Sequence, residues 1–285
     1  MDANTFEDLR RWIGRSESRD DVVTPVPVAA LAATLDRDDP PPVAGETLPP
    51  LWHWLYFLPI HRLSASGPDG HAARGDFLPP VPLPRRMWAG SRMEFHHPLR
   101  IGDAMARTSR IRDVKVKEGR TGPLVFVVVQ HEISVGGVIA LTEEHDIVYR
   151  DNPRPGDAVL PPIAAPVAPT WSRTVESDPV LLFRYSALTF NSHRIHYDRR
   201  YVAEVEGYPG LVVHGPLIAT LLVDLLRRHL PHEAMTHFVF RAFKPLFDIA
   251  PFFVCGKPDR SGKAIHLWAK NAQHELAMDA TATLV

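Results

Sequence analysis

The chain has 285 residues, of which 45% are hydrophobic and 23% charged, and its formal net charge at pH 7 is −1. This balance excludes a general electrostatic attraction to nucleic acid, and the single cysteine, Cys255, excludes an intrachain disulfide and a cysteine-cluster metal site. No apolar run reaches the roughly 18 residues of a membrane-spanning helix, and the polar, acidic N-terminus does not resemble a secretory signal. We therefore expect a cytoplasmic globular protein.

Residues 1–150 are predicted to form one unit with helices at its start and strands at its end. Helical patterns occur near Thr5–Ile13 and Pro27–Leu35, and the apolar run at Leu51–Leu58 is typical of a short buried helix. An irregular segment rich in Gly and Pro follows, from Ser64 to Arg86. After it, β-branched and aromatic runs predict four strands, at Arg86–Phe95, Ala104–Lys117, Leu124–Val135 and Gly137–Tyr149.

Residues 151–170 are predicted to be a stiff, Pro-rich linker to a second unit that spans residues 171–285. The second unit opens with a strand near Trp171–Glu176 and a helix near Pro179–Thr189. A polar loop then leads into a long apolar helix at about Pro216–Arg228. Four strands complete the unit, at Met235–Phe243, Phe252–Lys257, Ala264–Asn271 and Glu275–Leu284.

The two halves share a weak internal repeat. Each contains an apolar helix followed by strands, and each has a Pro-Leu corner after its first strand in that run. The corner reads HHPLRIGD at His96–Asp103 and FKPLFDIAP at Phe243–Pro251. Such a repeat indicates duplication of one fold unit. A sheet wrapped around a central helix would explain why that helix is so apolar.

The strongest functional signal is the polar segment FRYSALTFNSHRIHYD, residues 183–198, with the apolar helix that begins at His214-Gly215. The segment concentrates chemically active side chains at Asn191, His193, Arg194, His196 and Asp198. Chemistry at a carbonyl needs a base, a group that positions water, and a backbone N–H that binds an oxyanion. A polar cluster beside a helix N-terminus offers all three.

These two segments resemble the MaoC-type (R)-specific enoyl-CoA hydratases of the hot-dog fold. Their usual motif contains Asp, then Asn-Pro, then His, and is followed by a helix entered through His-Gly. In this chain Asn191 stands at the Asp position, His193 near the Asn, Arg194 at the Pro and His196 at the His. His214-Gly215 matches the helix entry.

The whole chain, including LWHWLYFLP and TFNSHRIHYD, resembles a narrower branch of that superfamily. The branch contains 3-methylfumaryl-CoA (mesaconyl-CoA) hydratases, itaconyl-CoA hydratases and fungal-type mitochondrial 3-hydroxyacyl-thioester dehydratases. The resemblance implies an α+β double hot-dog fold, with two antiparallel sheets each wrapped around a long central helix. It also implies that the C-terminal unit is catalytic and that the N-terminal unit is degenerate and shapes the acyl tunnel.

The resemblance suggests catalytic roles for three residues. His196 is expected to be the general acid/base, because an imidazole with a pKa near about 6.5 exchanges protons at neutral pH. Asn191 cannot be a base, so we expect its amide to hold the attacking water or to bond the substrate. Gly215 is expected to offer its N–H to the thioester oxygen at the helix N-terminus. The structural alternatives are a loop histidine, a turn-closing asparagine and a helix-entry glycine.

Four further residues are candidate substrate contacts. The planar fork of Arg194 suits the free carboxylate of a dicarboxylyl-CoA or a CoA phosphate, while an internal ion pair with Asp198 or Glu204 is an equally good interpretation. Arg184 is a weaker candidate of the same kind. The others, His193 and His214, are expected to support the site from behind.

The resemblance implies a cofactor-independent enzyme, with coenzyme A present only as part of the substrate. His61 and the pair His96-His97 lack a carboxylate or histidine at ligand spacing, so no metal site is predicted. The expected partner is a small-molecule acyl-CoA, with no nucleic acid and no membrane. A homodimer is the expected assembly.

The expected reaction is the addition of water to a short, methyl-branched dicarboxylyl-CoA. Itaconyl-CoA and 3-methylfumaryl-CoA fit about equally, and both would give citramalyl-CoA. Dehydration of 3-hydroxyacyl chains on acyl carrier protein or CoA stays open, and the cluster Trp52, Trp54, Tyr56 and Phe57 would either line or block the tunnel it needs. Asn191 at the Asp position also keeps open a non-catalytic acyl-CoA binding module, and a thioesterase is a further variant.

Overall fold

The described part of the chain comprises residues 3–73, 75–119, 122–152 and 161–285 of a computed structural model, and it contains ten strands and five α-helices. The strands are β1 Ser16–Val22, β2 Arg85–Phe95, β3 Ala104–Gly119, β4 Gly122–Val135, β5 Val138–Arg150, β6 Trp171–Val175, β7 Met235–Ala242, β8 Phe252–Pro258, β9 Ala264–Lys270 and β10 Leu276–Leu284. The helices are α1 Ala3–Arg10, α2 Pro25–Thr34, α3 Pro179–Leu188, α4 Arg199–Glu204 and α5 Gly215–His229. Short 3-10 turns occupy Trp52–Leu55, Leu63–Ala65 and Arg194–His196.

All ten strands belong to one antiparallel sheet with the order β1-β3-β4-β5-β2-β7-β10-β9-β8-β6. The order has the same pattern from either end, because β2 corresponds to β7, β5 to β10, β4 to β9, β3 to β8 and β1 to β6. Each predicted Pro-Leu corner connects an equivalent pair of strands, β2 to β3 and β7 to β8. The halves meet where β2 pairs with β7, from Gly90↔Arg241 to Glu94↔His237. The two expected sheets are therefore joined into one, within the α+β class that we predicted.

The C-terminal half of the sheet packs around α5, the long apolar helix. Every residue from Leu217 to Leu226 is buried, since α5 contacts β6, β8, β9 and β10. The N-terminal half differs, because its helix α2 has only ten residues and packs against α3. On this half, Leu9, Val81 and Leu83 cover the hydrophobic face of the strands. The expectation of a long central helix in each half is thus correct only for the C-terminal half.

The linker prediction falls partly on residues 153–160, which lie outside the described residues. Of the remainder, Ala164 forms a β-bridge with Glu275, so this part of the linker lies along the C-terminal sheet. The boundaries near residues 150 and 171 stay a prediction. None of the described helices is long and apolar enough to cross a membrane.

Candidate active site

Helix α3 and the turn that follows it place the polar motif. Asp178 caps the helix, since its Oδ1 accepts a hydrogen bond from the Leu181 N–H at 2.9 Å. The next turn contains Phe190 with φ of 49°, a left-handed conformation that is uncommon for a bulky side chain. This turn directs the chain from α3 into Asn191 and the 3-10 turn Arg194–His196.

His196 is held as a neutral imidazole. Its ring is buried, with 7% exposure, and its Nδ1 lies 2.7 Å from the carbonyl oxygen of Val212. Because a carbonyl only accepts, Nδ1 carries the proton and Nε2 of the neutral ring carries the lone pair. Burial lowers the pKa of His196 to about 4, against the opposing effect of the Val212 hydrogen bond. His196 can therefore accept a proton at neutral pH.

The ring of His214 packs against the ring of His196. The two rings stack with centroids 3.6 Å apart and planes inclined by 16°. Nε2 of His214 lies 2.8 Å from Oγ of Ser186, and the side chain is fully buried. Burial, followed by the charges of His196 and His193, lowers the pKa of His214 well below its usual value. A neutral His214 therefore fixes the ring plane of His196 without adding a charge beside it.

Asn191 closes the turn after α3 and faces the cavity. Its Oδ1 accepts a hydrogen bond from the backbone N–H of His193 at 3.0 Å, which closes the turn. Asn191 also lines the adjacent cavity. Since Oδ1 is engaged in the turn, the amide NH2 is the group that Asn191 can offer to water or to a substrate oxygen.

Gly215 is the first residue of α5. The N–H groups of a first helical turn have no acceptor within the helix, and the helix dipole makes this end positive. Its neighbour Pro216 lines the cavity. A Cβ at position 215 would find its nearest atom, the carbonyl oxygen of Trp88, 4.0 Å away. Contacts within the protein therefore do not require glycine here, and the space allows a ligand to approach the helix end.

The structure places Arg194 in the internal ion pair that sequence analysis left open. Its Nη2 and Nε lie 2.7 and 3.0 Å from Oδ2 of Asp198, and Nη1 donates to the Pro68 carbonyl at 3.1 Å. The guanidinium also lies over the ring of Tyr201, 4.2 Å from its centroid. Arg184 is exposed on α3. Neither arginine lines the cavity, so this structure favours the structural interpretation of both over substrate binding.

A cavity of about 470 Å³ lies beside the motif and is walled by both halves of the chain. The motif side contributes Tyr185, Thr189, Phe190, Asn191, Ser192 and Pro216. The aromatic cluster of the N-terminal half divides: Trp54, Tyr56 and Phe57 line the cavity, whereas Trp52 is buried in the core. The size suits a small acyl group.

The wall from the N-terminal half is polar to an extent that the sequence did not predict. Glu143 is buried and lies 2.7 Å from Nε2 of His145 and 3.1 Å from Nε2 of His53, and it accepts a hydrogen bond from Trp54 Nε1 at 3.2 Å. Burial acts to raise the pKa of Glu143, but the two histidines outweigh it and hold this pKa well below the usual range. In the sequence, β5 looks like an ordinary strand, so nothing predicted that Glu143 would be buried between two histidines.

Two arginines of the cavity wall have no acid at ion-pairing distance among the residues that the structure describes. They are Arg86 on β2 and Arg107 on β3. The guanidinium of Arg107 lies 5.0 Å from the ring centroid of Phe57, its Nε has no hydrogen-bond partner, and burial lowers its pKa. The neighbouring Arg85 is instead held by the protein, because its Nη2 donates a hydrogen bond to the Glu206 carbonyl at 2.7 Å. The cavity wall therefore contains two guanidinium groups with which an anionic ligand can pair, alongside the acids Glu17, Asp76 and Glu143.

A loop of the irregular N-terminal segment reaches the motif and brings two residues that the sequence did not single out. Asp69 and His71 pair through Oδ2 and Nδ1 at 3.0 Å, and the His71 ring lies 4.0 Å from the ring of His193. Burial raises the pKa of Asp69, but the hydrogen bonds and charge of His71 outweigh it, so the net shift is strongly downward. Ligand atoms of Asp69, His71 and His193 lie within 4.8 Å of one another, a group that could hold a metal ion. The only signal was an Asp-Gly-His string within a Gly- and Pro-rich stretch.

The histidine rings form a row in which His71 contacts His193, His193 lies 5.4 Å from His196, and His196 stacks on His214. Of these four, only His71 lines the cavity. Burial, followed by the charges of His71 and His196, lowers the pKa of His193 to about 2. His193 is therefore a neutral ring that lies between His71 and His196.

Acid should destabilise the fold through His196. The folded-state pKa is about 4 and the unfolded value about 6.5, so between these values the unfolded chain binds a proton that the folded chain excludes. This stability is present above about pH 6.5 and is lost as the pH falls toward 4, by on the order of 2 kcal/mol at about pH 5. Urea unfolding of wild type and His196→Asn at about pH 7.5 and 5 measures it. The wild type should lose more than the variant by about this amount, and equal losses would contradict the assignment.

Comparisons with known proteins agree with the motif. A sequence profile of the family described as hydroxyacyl-thioester dehydratase type 2 matches residues 51–248. The chain is 49% identical to a mesaconyl-C(4)-CoA hydratase of Chloroflexus aurantiacus over 277 residues, which cover 97% of this chain and 98% of the relative.

Solved structures share the fold. A MaoC-like dehydratase from Phytophthora capsici superposes with a TM-score of 0.65 at 12% identity, covering 98% of both chains. A conserved protein of Mycobacterium tuberculosis, described as having a double hot-dog fold, superposes with a TM-score of 0.60 at 13% identity, covering 98% of this chain and 97% of that one. At these identities the structures show the fold alone, and it is the double hot-dog fold that the motif implied.

Proposed function

This chain belongs to the hydroxyacyl-thioester dehydratase type 2 family, and from that premise we propose that it is a hydro-lyase that converts 3-methylfumaryl-CoA (mesaconyl-C4-CoA) into citramalyl-CoA. The 49% identity to a mesaconyl-C(4)-CoA hydratase over nearly the whole chain supports hydration of a CoA thioester. The observation that carries the choice of acyl group is that Arg86 and Arg107 line the cavity with no acid at ion-pairing distance among the described residues. A carboxylate would pair with their charge, whereas a long alkyl chain would be buried against it at a cost.

Arg86 is the arginine best placed to bind the carboxylate. In 3-methylfumaryl-CoA the carboxylate is bonded to Cβ, the carbon that water attacks, so the binding group must lie close to the catalytic residues. Arg86 is two residues from Trp88 on β2, and both side chains line the cavity. The carbonyl oxygen of Trp88 would lie 4.0 Å from a Cβ at Gly215, so this part of β2 is next to the helix entry. Arg107 instead packs on Phe57.

The proposed chemistry needs proton transfer and enolate stabilisation and no cofactor. The thioester oxygen binds at the N–H of Gly215, where the dipole of α5 stabilises the negative charge that develops. The Nε2 of His196 takes a proton from water while the water oxygen attacks Cβ, and the Asn191 amide donates to the water. Because the His196 ring is covered by its neighbours, substrate binding must open a path to it.

A substrate panel tests the proposed function. Purified protein is offered 3-methylfumaryl-CoA, itaconyl-CoA, crotonyl-CoA and a C8 3-hydroxyacyl thioester, with enoyl absorbance and free thiol followed together. We expect the highest kcat/KM on 3-methylfumaryl-CoA, exceeding crotonyl-CoA by about 10–10²-fold because one charge-assisted hydrogen bond is worth about 1.5–3 kcal/mol. Thiol release should not occur.

The other outcomes of the panel would overturn the proposal in distinct ways. The apolar wall formed by Trp54, Tyr56 and Phe57 favours a second candidate, dehydration of 3-hydroxyacyl thioesters, and a preference for the C8 substrate would establish it. A preference for itaconyl-CoA would change the substrate and keep the reaction class. Free thiol would indicate a thioesterase, and no change in either signal would indicate a binding module.

A further inference from the structure

Hydration involves two proton transfers, and the motif supplies one acid/base group for them, His196. Water loses one proton as it attacks Cβ, and Cα must receive one to complete the product. His196 provides one acid/base group, but Asn191 stands at the position where the resembled family has a carboxylate, and an amide does not titrate. A mechanism that divides the two transfers between two groups therefore needs a second group from elsewhere in the site.

A carboxylate–imidazole pair from the N-terminal half, Asp69 and His71, lies beside the motif. Asp69 Oδ2 is 3.0 Å from Nδ1 of His71, and Asp69 Oδ1 accepts the backbone N–H of His71, also at 3.0 Å. An ionised carboxylate only accepts, so Nδ1 is the donor to Asp69, and Nε2 is the ring atom that gains or loses a proton. His71 and Asn191 both line the cavity.

Backbone contacts fix this pair to the catalytic motif. The Asp69 carbonyl accepts the backbone N–H of Arg194 at 2.9 Å, and the Gly70 carbonyl accepts the hydroxyl of Ser192 at 2.6 Å. Gly70 has φ of 90°, and a Cβ there would lie 1.9 Å from the Ser192 carbonyl oxygen. Only glycine allows this approach. The loop is thus built to hold His71 against the motif across 122 residues of sequence.

We propose that the Asp69–His71 pair is the second acid/base group of the reaction and acts at Cα, while His196 acts on water. In hydration an O–H bond of water breaks, its proton goes to Nε2 of His196, and the oxygen bonds to Cβ. The π electrons move toward the thioester to form the enolate. Protonated His71 then gives its Nε2 proton to Cα, and the enolate electrons form the new C–H bond. The Asp69 carboxylate stabilises the imidazolium until this transfer.

Exchange with solvent restores the starting protonation state of His196 and His71 between turnovers. After one turnover His196 holds an extra proton and His71 lacks one. The ring of His193 lies 4.0 Å from the ring of His71 and 5.4 Å from that of His196, so it lies between the two rings. The inference rests on the hydration proposed above and is independent of which acyl group is carried.

The His71→Asn variant tests this assignment. Asparagine keeps an N–H donor near the place of Nδ1, so the bond to Asp69 can persist, but it has no counterpart of Nε2. We expect kcat to fall by about 10²–10⁴-fold. Asp69→Asn still accepts the His71 backbone N–H but removes the carboxylate, and we expect a fall on the order of 10²-fold. Unchanged kcat in folded His71→Asn would overturn the proposal.

A partial reaction separates a catalytic His71 from a merely structural one. Exchange of the Cα protons of the saturated 3-carboxybutanoyl-CoA into D2O, followed by NMR, involves Cα and not water addition. His71→Asn should lose this exchange, whereas His196→Asn should keep it. Loss in His196→Asn with retention in His71→Asn would reverse the two roles and overturn the proposal.

Two controls complete the design. The exposed His96, whose Nε2 lies 3.1 Å from Oγ1 of Thr142, provides the His96→Asn variant, which should keep wild-type kcat. EDTA should leave the wild-type rate unchanged, and a loss restored by Zn²⁺ would assign Asp69, His71 and His193 to a metal instead. If the wild type hydrates no thioester of the panel, the proposed function fails. If it hydrates one and His71→Asn does so equally well, only this inference fails.

Discussion

The His196→Asn variant is expected to lose about 10²–10⁴-fold in kcat and to keep its fold. Nδ1 of His196 donates to the Val212 carbonyl at 2.7 Å, and the ring stacks on His214. The amide nitrogen of asparagine lies near the position of Nδ1, so the bond to Val212 can persist. Asparagine has no group at the position of Nε2, and the variant therefore removes the lone pair selectively.

Steady-state hydration of the best thioester of the panel measures this loss, and circular dichroism with urea unfolding checks the fold. His196→Ala removes the Val212 hydrogen bond as well, so it should be no more active and less stable than His196→Asn. The difference in stability should be about 0.5–1.5 kcal/mol, the usual net value of one hydrogen bond. A folded His196→Asn enzyme that hydrates at the wild-type rate would show that another group is the base.

Periodicity predicted most of the fold because most elements bury one face. Every described strand except β1 was predicted, and so was α5, whose apolar length reflects its place inside the C-terminal sheet. β1, with the sequence SESRDDV, lies at the edge of the sheet and is mostly exposed, so it has no hydrophobic alternation. The six-residue α4 depends on a cap by Asp198, a local contact too short to produce a period. The pairing of β2 with β7 is a tertiary event that neither strand encodes alone.

The proposed site residues likewise include some that the sequence indicated and some that it did not. Asn191, His196 and Gly215 could be proposed as site residues because their spacing matches a motif within one stretch of chain and the helix beside it. Asp69 and His71 could not, because a loop from the other half brings them to the motif, and an isolated Asp-Gly-His string looks like a turn.

The roles of the arginines are harder to predict, because the sequence does not show which group an arginine pairs with. Arg194 has Asp198 four residues away, which made an internal pair visible from the sequence but did not decide between pair and ligand. Arg86 follows Arg85 directly, and strand alternation sends the two side chains to opposite faces. Arg85 meets Tyr208 and Glu206, and Arg86 reaches the cavity wall. Only the packing of the second half against β2 distinguishes them.

Replacing Arg86 by methionine should lower kcat/KM for 3-methylfumaryl-CoA by about 10–10²-fold, because the variant loses a charge-assisted hydrogen bond worth about 1.5–3 kcal/mol. Crotonyl-CoA has no carboxylate and should lose less than about 3-fold. Methionine fills a similar space, and Arg86 has no acid partner among the described residues, so no buried anion is left behind. The free energy of unfolding should change by less than about 1 kcal/mol.

Arg194→Ala is the matched control, since it removes an arginine of the motif that is bound to Asp198 rather than aimed into the cavity. Its effects on 3-methylfumaryl-CoA and crotonyl-CoA should be equal, because any change acts through the motif and not through the carboxylate. The two ratios of kcat/KM, dicarboxylyl over crotonyl, therefore decide between the arginines. A ratio that collapses in Arg194→Ala and stays at the wild-type value in Arg86→Met would move the carboxylate site to Arg194. Equal ratios in wild type and both variants would remove Arg86 and Arg194 from substrate selection and leave Arg107 and the polar wall around Glu143 as the parts of the cavity to test next.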